Sequence, residues 1–347
     1  MHRFAKFLAA CTVLLILAGS LVTSHDAGLS VPDWPTSYGW NMFTFPPSMW
    51  VANIFYEHGH RLIASSVGFL TIIMTVWLWL AEPRRWMRWL GVAALGAVIA
   101  QGLLGGLTVK YFLPPSVSTA HAGLAEIFFC MTVAIALFTS PGWVSPPAGF
   151  QPIDDERLRK LATATTVCIY IQILIGATMR HTGAGLAIPD FPLMFGHLIP
   201  DHWDARIAIH FAHRVGALVV AGMIVTTALD IWRRHTERVE LAQPALLLII
   251  LVVIQATLGA VTVLSRRQPW INSLHVVGGA LVLTTSLVIT LRVWKIRIAD
   301  GGLRMADSSR TDSIPNPVNQ PIHNPIQNPI HNPIRNPQSA IRNERPA

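Results

Sequence analysis

An all-α integral membrane protein with eight transmembrane helices, arranged as two parallel four-helix-bundle repeats, is the fold this sequence predicts. Three observations predict it. Of 347 residues, 52% are hydrophobic and only 13% charged, a balance found in membrane proteins rather than soluble ones. Eight apolar stretches are each long enough to cross a bilayer core, which takes about 20 residues. The chain also resembles itself at a nearly constant separation, the mark of an internal repeat.

The stretches run over roughly 7–23, 61–81, 88–109, 119–139, 161–180, 205–231, 244–264 and 272–294. The first follows Arg3 and Lys6 and has the make-up of a secretion signal. Its counterpart near 161–180 lies deep inside the chain, where a signal peptide has no place, so the first stretch is read as a span. Lys and Arg mark cytoplasmic loops. Arg3 and Lys6, Arg84, Arg85 and Arg88, Arg157, Arg159 and Lys160, Arg233, Arg234 and Arg238, and Arg292, Lys295 and Arg297 all fall on one side. Both termini are therefore expected in the cytoplasm. The opposite loops carry Asp26, Asp33, Asp190, Asp201 and Asp204, with Arg266 and Arg267 as the exception. The net charge of +8 then reflects topology, and nucleic acid is not an expected partner.

Cys11, Cys130 and Cys168 all fall inside spans, where a free thiol packs as a small apolar group. No disulfide is expected. From about residue 300 an Asn-Pro-Ile unit recurs between Asn316 and Asn336. Proline at that density removes the amide donors that helix and sheet require, so 301–347 reads as a disordered cytoplasmic tail. His323 and His331 in the tail read as solvated rather than metal-binding.

The repeat divides the rest into an N-terminal half, 1–143, and a C-terminal half, 144–300. Gly19 to Pro35, running on to Gly39, recurs as Gly176 to Pro192 and Gly196, at an offset of 157 residues. Glu57-His58-Gly59-His60-Arg61 aligns with His210-Phe211-Ala212-His213-Arg214 at 153, while Gln101 to Gly105 with Gln255 to Gly259, and His121 with His275, align at 154. Four spans per half is an even number, so both halves enter from one side and an axis along the membrane normal relates them. Inverted repeats, found in many transporters, have the opposite relation. The Pro-Asp-aromatic-Pro loops lie outside in both halves and read as lids over the bundle ends.

Ionisable side chains in membrane spans are costly and mark function. His60, His121, His213 and His275 occupy repeat-equivalent positions toward the external side. Whether the second and fourth helices of each half are diagonal or adjacent, two imidazoles can face one central space. Two neutral imidazoles without thiolates or paired carboxylates suit a haem iron better than zinc or a di-iron centre. Arg61 and Arg214 follow the second-helix histidines and can either pair with a haem propionate or extend to the external headgroups. Glu57 breaks the symmetry. It lies one turn before His60, where the second half has His210, and it is read either as a group beside the reacting haem or as a helix N-terminal carboxylate favoured by the dipole.

Gly28 to Pro35, Glu57-x-x-His60-Arg61, Gln101 to Thr108, His121 and their second-half copies closely resemble the haem A synthase family, over about residues 5–298. The resemblance implies that haem O is the substrate and that its C8 methyl is oxidised by two successive hydroxylations, loss of water from the gem-diol leaving the formyl group of haem A. It implies His60 and His121 as ligands of the substrate haem, His213 and His275 as ligands of a resident haem b that relays electrons, and Glu57 as catalytic. It also implies haem O synthase as substrate donor, a place in cytochrome oxidase assembly, an external electron acceptor and membrane lipid as surroundings; homo-oligomer formation is left open. Some family members carry a cysteine pair in the first external loop, and residues 24–57 here contain none. The competing readings are a dihaem b-type cytochrome relaying electrons to or from quinone, which Glu57 in one half alone argues against, and a transporter, which the matched histidines argue against.

Overall fold

The computed structural model describes residues 1–146 and 152–295. The Asn-Pro-rich tail lies outside them. The described residues form α1 (His2–Ser24), α2 (Asn53–Ala81), α3 (Arg85–Lys110), α4 (Pro115–Phe138), the single turn α5 (Pro141–Val144), α6 (Glu156–His181), α7 (Ala205–Arg234), α8 (Val239–Leu264) and α9 (Pro269–Val293). All but α5 are long and apolar enough to cross a membrane, so the eight expected spans are present. No β-strand forms among the described residues.

Local chemistry sets where these helices begin. α4 and α9 start on proline, whose missing N–H falls where a helix has no partner for it. Asp155 and Asp204 cap α6 and α7, their carboxylates accepting the N–H of Leu158 and Ile207. α2 begins at Asn53 rather than near residue 61, because polar Asn53 and Glu57 find hydrogen-bond partners at His25 O and Val31 N–H in the loop above. His60 therefore lies about two turns inside its helix, not at its start.

The first four spans close a ring in the order α1, α2, α3, α4, with α1 packed on α4. α6, α7, α8 and α9 close a second ring in the same manner. α2 and α4 thus stand on one diagonal, α7 and α9 on the other. The seam between the rings is made by α1 with α9, α6 with α4, and α4 with α9. Hydroxyls join helices within the second ring: Thr165 to Thr227 at 2.9 Å, and Thr166 to Ser286 at 2.7 Å. Interhelical hydrogen bonds of this kind contribute about 0.6 kcal/mol each in a membrane.

Each ring has its own apolar core, and each core fills one end only. In the first it gathers Leu8, Met74, Leu78, Met87, Phe128 and Ile135; in the second, Leu158, Ile224, Ile231, Leu241, Leu248 and Ile289. These residues sit at the ends of the helices away from the two long loops. The other ends hold the histidines.

Candidate functional site

Four glycines make room for the four histidines. A Cβ on Gly19 of α1 would stand 2.9 Å from His60 Cε1, and one on Gly176 of α6 would stand 2.8 Å from His213 Cε1. On the other diagonal partners, a Cβ on Gly105 of α3 would lie 3.4 Å from His121 Cε1, and one on Gly259 of α8 would lie 3.0 Å from His275 Cε1. Each imidazole thus brings its Cε1 close against the backbone of the neighbouring helix, in space that only a glycine leaves open. The sequence comparison aligned these glycines but gave no sign that they and the histidines touch.

The rings of His213 and His275 approach across the α7–α9 diagonal, with centroids 6.5 Å apart and planes at 81°. Two imidazoles bound on opposite sides of one metal ion, at about 2 Å from metal to nitrogen, have centroids roughly 6 Å apart. His275 Nδ1 donates to the carbonyl of Gln255 at 3.2 Å, which leaves Nε2 as the free lone pair, while the Gln255 amide donates to His275 O at 2.9 Å. A ligand histidine is ordinarily oriented by such a bond to its other nitrogen. His213 Nδ1 is met by the Gln172 amide nitrogen at 2.9 Å, and that amide also donates to His213 O at 2.7 Å. In the first half, His60 and His121 lie within electrostatic range of each other. Their Nδ1 atoms are buried without a hydrogen-bond partner. Among the described residues no three His, Cys, Asp or Glu side chains converge as a metal cage. Paired imidazoles in glycine cradles would fit a haem iron held between two histidines.

Above each pair, the long loop between the first and second helices of the ring folds over the bundle end by a shared set of contacts. Asp33 accepts the N–H of Tyr38 at 2.7 Å and of Gly39 at 2.8 Å, and Asp190 accepts those of Phe195 at 2.8 Å and Gly196 at 2.9 Å. Successive N–H groups pointing inward make a concave anion seat. The turn needs a left-handed residue, supplied by Gly39 at φ +76° and Gly196 at φ +80°. Partial burial works to raise the Asp33 carboxyl, but the N–H of Gly39, the Thr36 hydroxyl and the N–H of Tyr38 outweigh it and hold the group below the usual range. Asp190 is held down chiefly by the N–H of Gly196, assisted by that of Phe195.

Arg61 and Arg214 point into these loops. Arg61 donates to the carbonyls of Asp33 at 2.7 Å, Thr36 at 3.0 Å and Val31 at 2.9 Å, and to Glu57 Oε1 at 2.8 Å. Arg214 donates to Asp190 O at 2.7 Å, Leu193 O at 3.0 Å and Ile188 O at 3.1 Å, the same three carbonyls by alignment. Both Nη atoms of Arg61 are fully engaged by the loop, so a propionate would meet only its Nε.

Glu57 is buried, 4% exposed. Its Oε2 accepts the N–H of Val31 at 2.7 Å. It sits one turn inside α2, so it is no helix N-terminal carboxylate. His210, its counterpart, meets the N–H of Ile188 through Nδ1 at 3.3 Å. His58 is a further residue that sequence reasoning passed over. It is fully buried, bonded to the Ser37 hydroxyl at 3.1 Å and packed among Phe45 and Trp50.

Comparison with known proteins agrees with this geometry in extent. The family model described as cytochrome oxidase assembly protein, COX15-CtaA, matches residues 2–287. A protein of Shouchella clausii named heme A synthase is 28% identical over 306 residues, 86% of this chain and 98% of that one. Proteins of the same name from Halalkalibacterium halodurans and Symbiobacterium thermophilum are 27% and 30% identical, covering 84% and 77% of this chain and 97% and 86% of their own lengths.

Proposed function

The chain belongs to the COX15-CtaA family of cytochrome oxidase assembly proteins, and from that premise we propose that it acts in haem A biosynthesis as a haem A synthase, an oxidoreductase converting the C8 methyl of haem O to a formyl group. Two successive hydroxylations take the methyl to the alcohol and then to the gem-diol, and loss of water leaves the aldehyde. With water supplying the oxygen, each hydroxylation releases two protons and two electrons, and the electrons pass to an external acceptor. The reading is supported most directly by two diagonal histidine pairs of the same build, of which only one has a carboxylate beside it.

His60 and His121 would hold the substrate haem in the first half. His213 and His275 would hold a haem b, which when bound supplies one-electron transfer. The residues of the chain do the rest. The glycine cradles fix the imidazole planes, and Gln255 fixes the His275 tautomer. Arg61 and Arg214 shape the cofactor sites by tying down the loops that exclude water from the bundle ends. Glu57 keeps a negative charge, and an acceptor for protons, one turn from His60. The two halves are proposed as parallel repeats, with cytoplasmic termini, haem sites toward the external face of the cell membrane, and haem O synthase as donor.

The test is mass analysis of porphyrins extracted from purified protein, alongside a pyridine haemochrome spectrum. Haem b together with haem O or haem A is expected. Haem b alone in protein made with a haem O supply would contradict the synthase, and absence of haem would contradict both halves of the assignment.

A further inference from the structure

The loop joining α3 to α4 and the loop joining α8 to α9 have one backbone and two different chemistries. Phe112 and Leu113 adopt φ of +59° and +58°, and Arg266 and Arg267, aligned with them, adopt +54° and +67°. Leu113 N–H closes on Thr108 O at 2.7 Å and Arg267 N–H on Thr262 O at 2.8 Å. The side chains also rest alike: a Cβ on Gly28 would touch Leu113 at 3.3 Å, and one on Gly185 would touch Arg267 Cδ at 3.7 Å. Left-handed non-glycine residues in succession are strained. The first half places an apolar pair there and the second a basic pair, on the side where basic residues are otherwise scarce.

A second cation joins it. Arg180, near the end of α6, stands where the first half has Thr23. Its Nη2 donates to Ser20 O at 2.7 Å and to Ser24 Oγ at 2.8 Å, both neutral, and its Nε is enclosed without a partner. Arg267 lies within electrostatic range of it, with Asp26 the acid in range, and His275 lies in range of Arg180. A guanidinium bonded only to neutral oxygens, with an enclosed and unmet donor, leaves a site that would accept negative charge. An arginine fork is suited to a carboxylate or a phosphate.

We propose that Arg180 and Arg267 form an anion site that takes a propionate carboxylate of the haem held by His213 and His275. The inference rests on the haem assignment proposed above. It also explains why Arg266 and Arg267 break the charge rule for external loops. The propionate is favoured over a lipid phosphate because the donor is enclosed in the seam beside a haem-ligand histidine.

The test uses full-length protein carrying haem with ¹³C-labelled propionates, and compares the wild type with Arg180→Gln, Arg180→Lys and Arg267→Gln. The two histidines still hold the iron, so haem b is expected to remain. Loss of a nearby cation disfavours the ferrous state less strongly compensated by charge, and the ferrous-to-ferric ratio at fixed potential should fall about tenfold in the Gln variants, or about 59 mV for one electron. Lys should retain most of it. Redox infrared difference spectra should show the labelled carboxylate band displaced in the Gln variants. Full haem b at an unchanged potential, with the band unmoved, overturns the proposal, and if Arg180→Gln does not fold, Arg267→Gln decides. A potential shift reproduced in the wild type by exchanging anionic lipid for phosphatidylcholine assigns the site to lipid phosphate and also overturns it. Wild type with no haem b overturns the haem assignment itself.

Discussion

The carboxylate of Glu57 accepts the backbone N–H of Val31 at 2.7 Å while its other oxygen receives Arg61 at 2.8 Å, so a residue one turn from a proposed haem ligand is also what holds the external loop to the bundle. His210 meets Ile188 N–H in the same place. Loop anchoring is therefore common to both halves, and a carboxyl group is peculiar to the first.

That division predicts the outcome of Glu57→Gln. A glutamine oxygen can still accept from Val31, so the loop and both haem sites should persist, whereas the charge and the proton acceptor are lost. Haem O, or its hydroxylated intermediate, should accumulate at the expense of haem A, with turnover reduced about 10²-fold, the scale on which single electrostatic groups act. His210→Gln should affect turnover less. Haem A formed at the normal rate by Glu57→Gln, measured in extracted porphyrins, would leave Glu57 with anchoring alone.

The glycine cradles predict a graded series. Gly176→Ala and Gly19→Ala bring a methyl to 2.8 Å and 2.9 Å from an imidazole carbon, and Gly105→Ala only to 3.4 Å. The first should lower haem b content, the second should lower substrate haem content, and Gly105→Ala should be close to wild type. Equal haem loss in all three would show that the cradles are not what positions the rings.

Much of this was legible in the chain. Eight apolar runs gave eight spans, because hydropathy is a property of sequence alone, and the repeat register named the four histidines, while the helix contacts decided that their helices stand on diagonals. The partners of Arg61 and Arg214 were not legible. Adjacency to a histidine says which helix carries an arginine, but the three carbonyls that it binds belong to a loop some 25 to 30 residues away. Likewise Gln172 has no polar counterpart in the first half, where Leu15 stands, so the repeat comparison that exposed the histidines passed over it. The start of α2 was set too late for the same reason: its polar first turns are satisfied by tertiary contacts that hydropathy does not register.

Acid should loosen the loops in a defined window. Asp33 and Asp190 are both held below the ordinary carboxylate range, so each contributes stability that is fully present above the unfolded value, about 3.9, and is lost as pH falls through the lower folded one. Amide protection at Tyr38, Gly39, Phe195 and Gly196 should hold at neutral pH and collapse only below about pH 4. Protection unchanged through that range, or lost near pH 6, would count against the aspartate seats. Asp33→Asn should weaken the first loop at all pH values and leave the second intact.

The ligand assignment is tested in the second half, where the ring geometry is fixed on both sides. His213 and His275 face each other at 6.5 Å, and removing either imidazole leaves an iron with one protein ligand and an enlarged gap. His213→Ala and His275→Ala should each give protein that inserts in the membrane without haem b, read as loss of its absorbance in a purified sample of unchanged yield. The supporting bonds predict a weaker effect at the next layer. Gln172→Leu, which copies Leu15, removes the side-chain amide that lies against the His213 ring and donates to His213 O, and loss of a polar partner beside a metal ligand typically weakens metal-site affinity about 10- to 100-fold. Haem b should then be retained at saturating supply and lost on dilution or detergent washing. Gln255 offers a control on the same logic. His275 Nδ1 is held by the Gln255 backbone carbonyl, not by its side chain, so Gln255→Leu leaves the tautomer in place and should cost less than Gln172→Leu. The reverse order would show that the side-chain bond to His275 O, rather than the bond to the ring nitrogen, sets how firmly the haem is held.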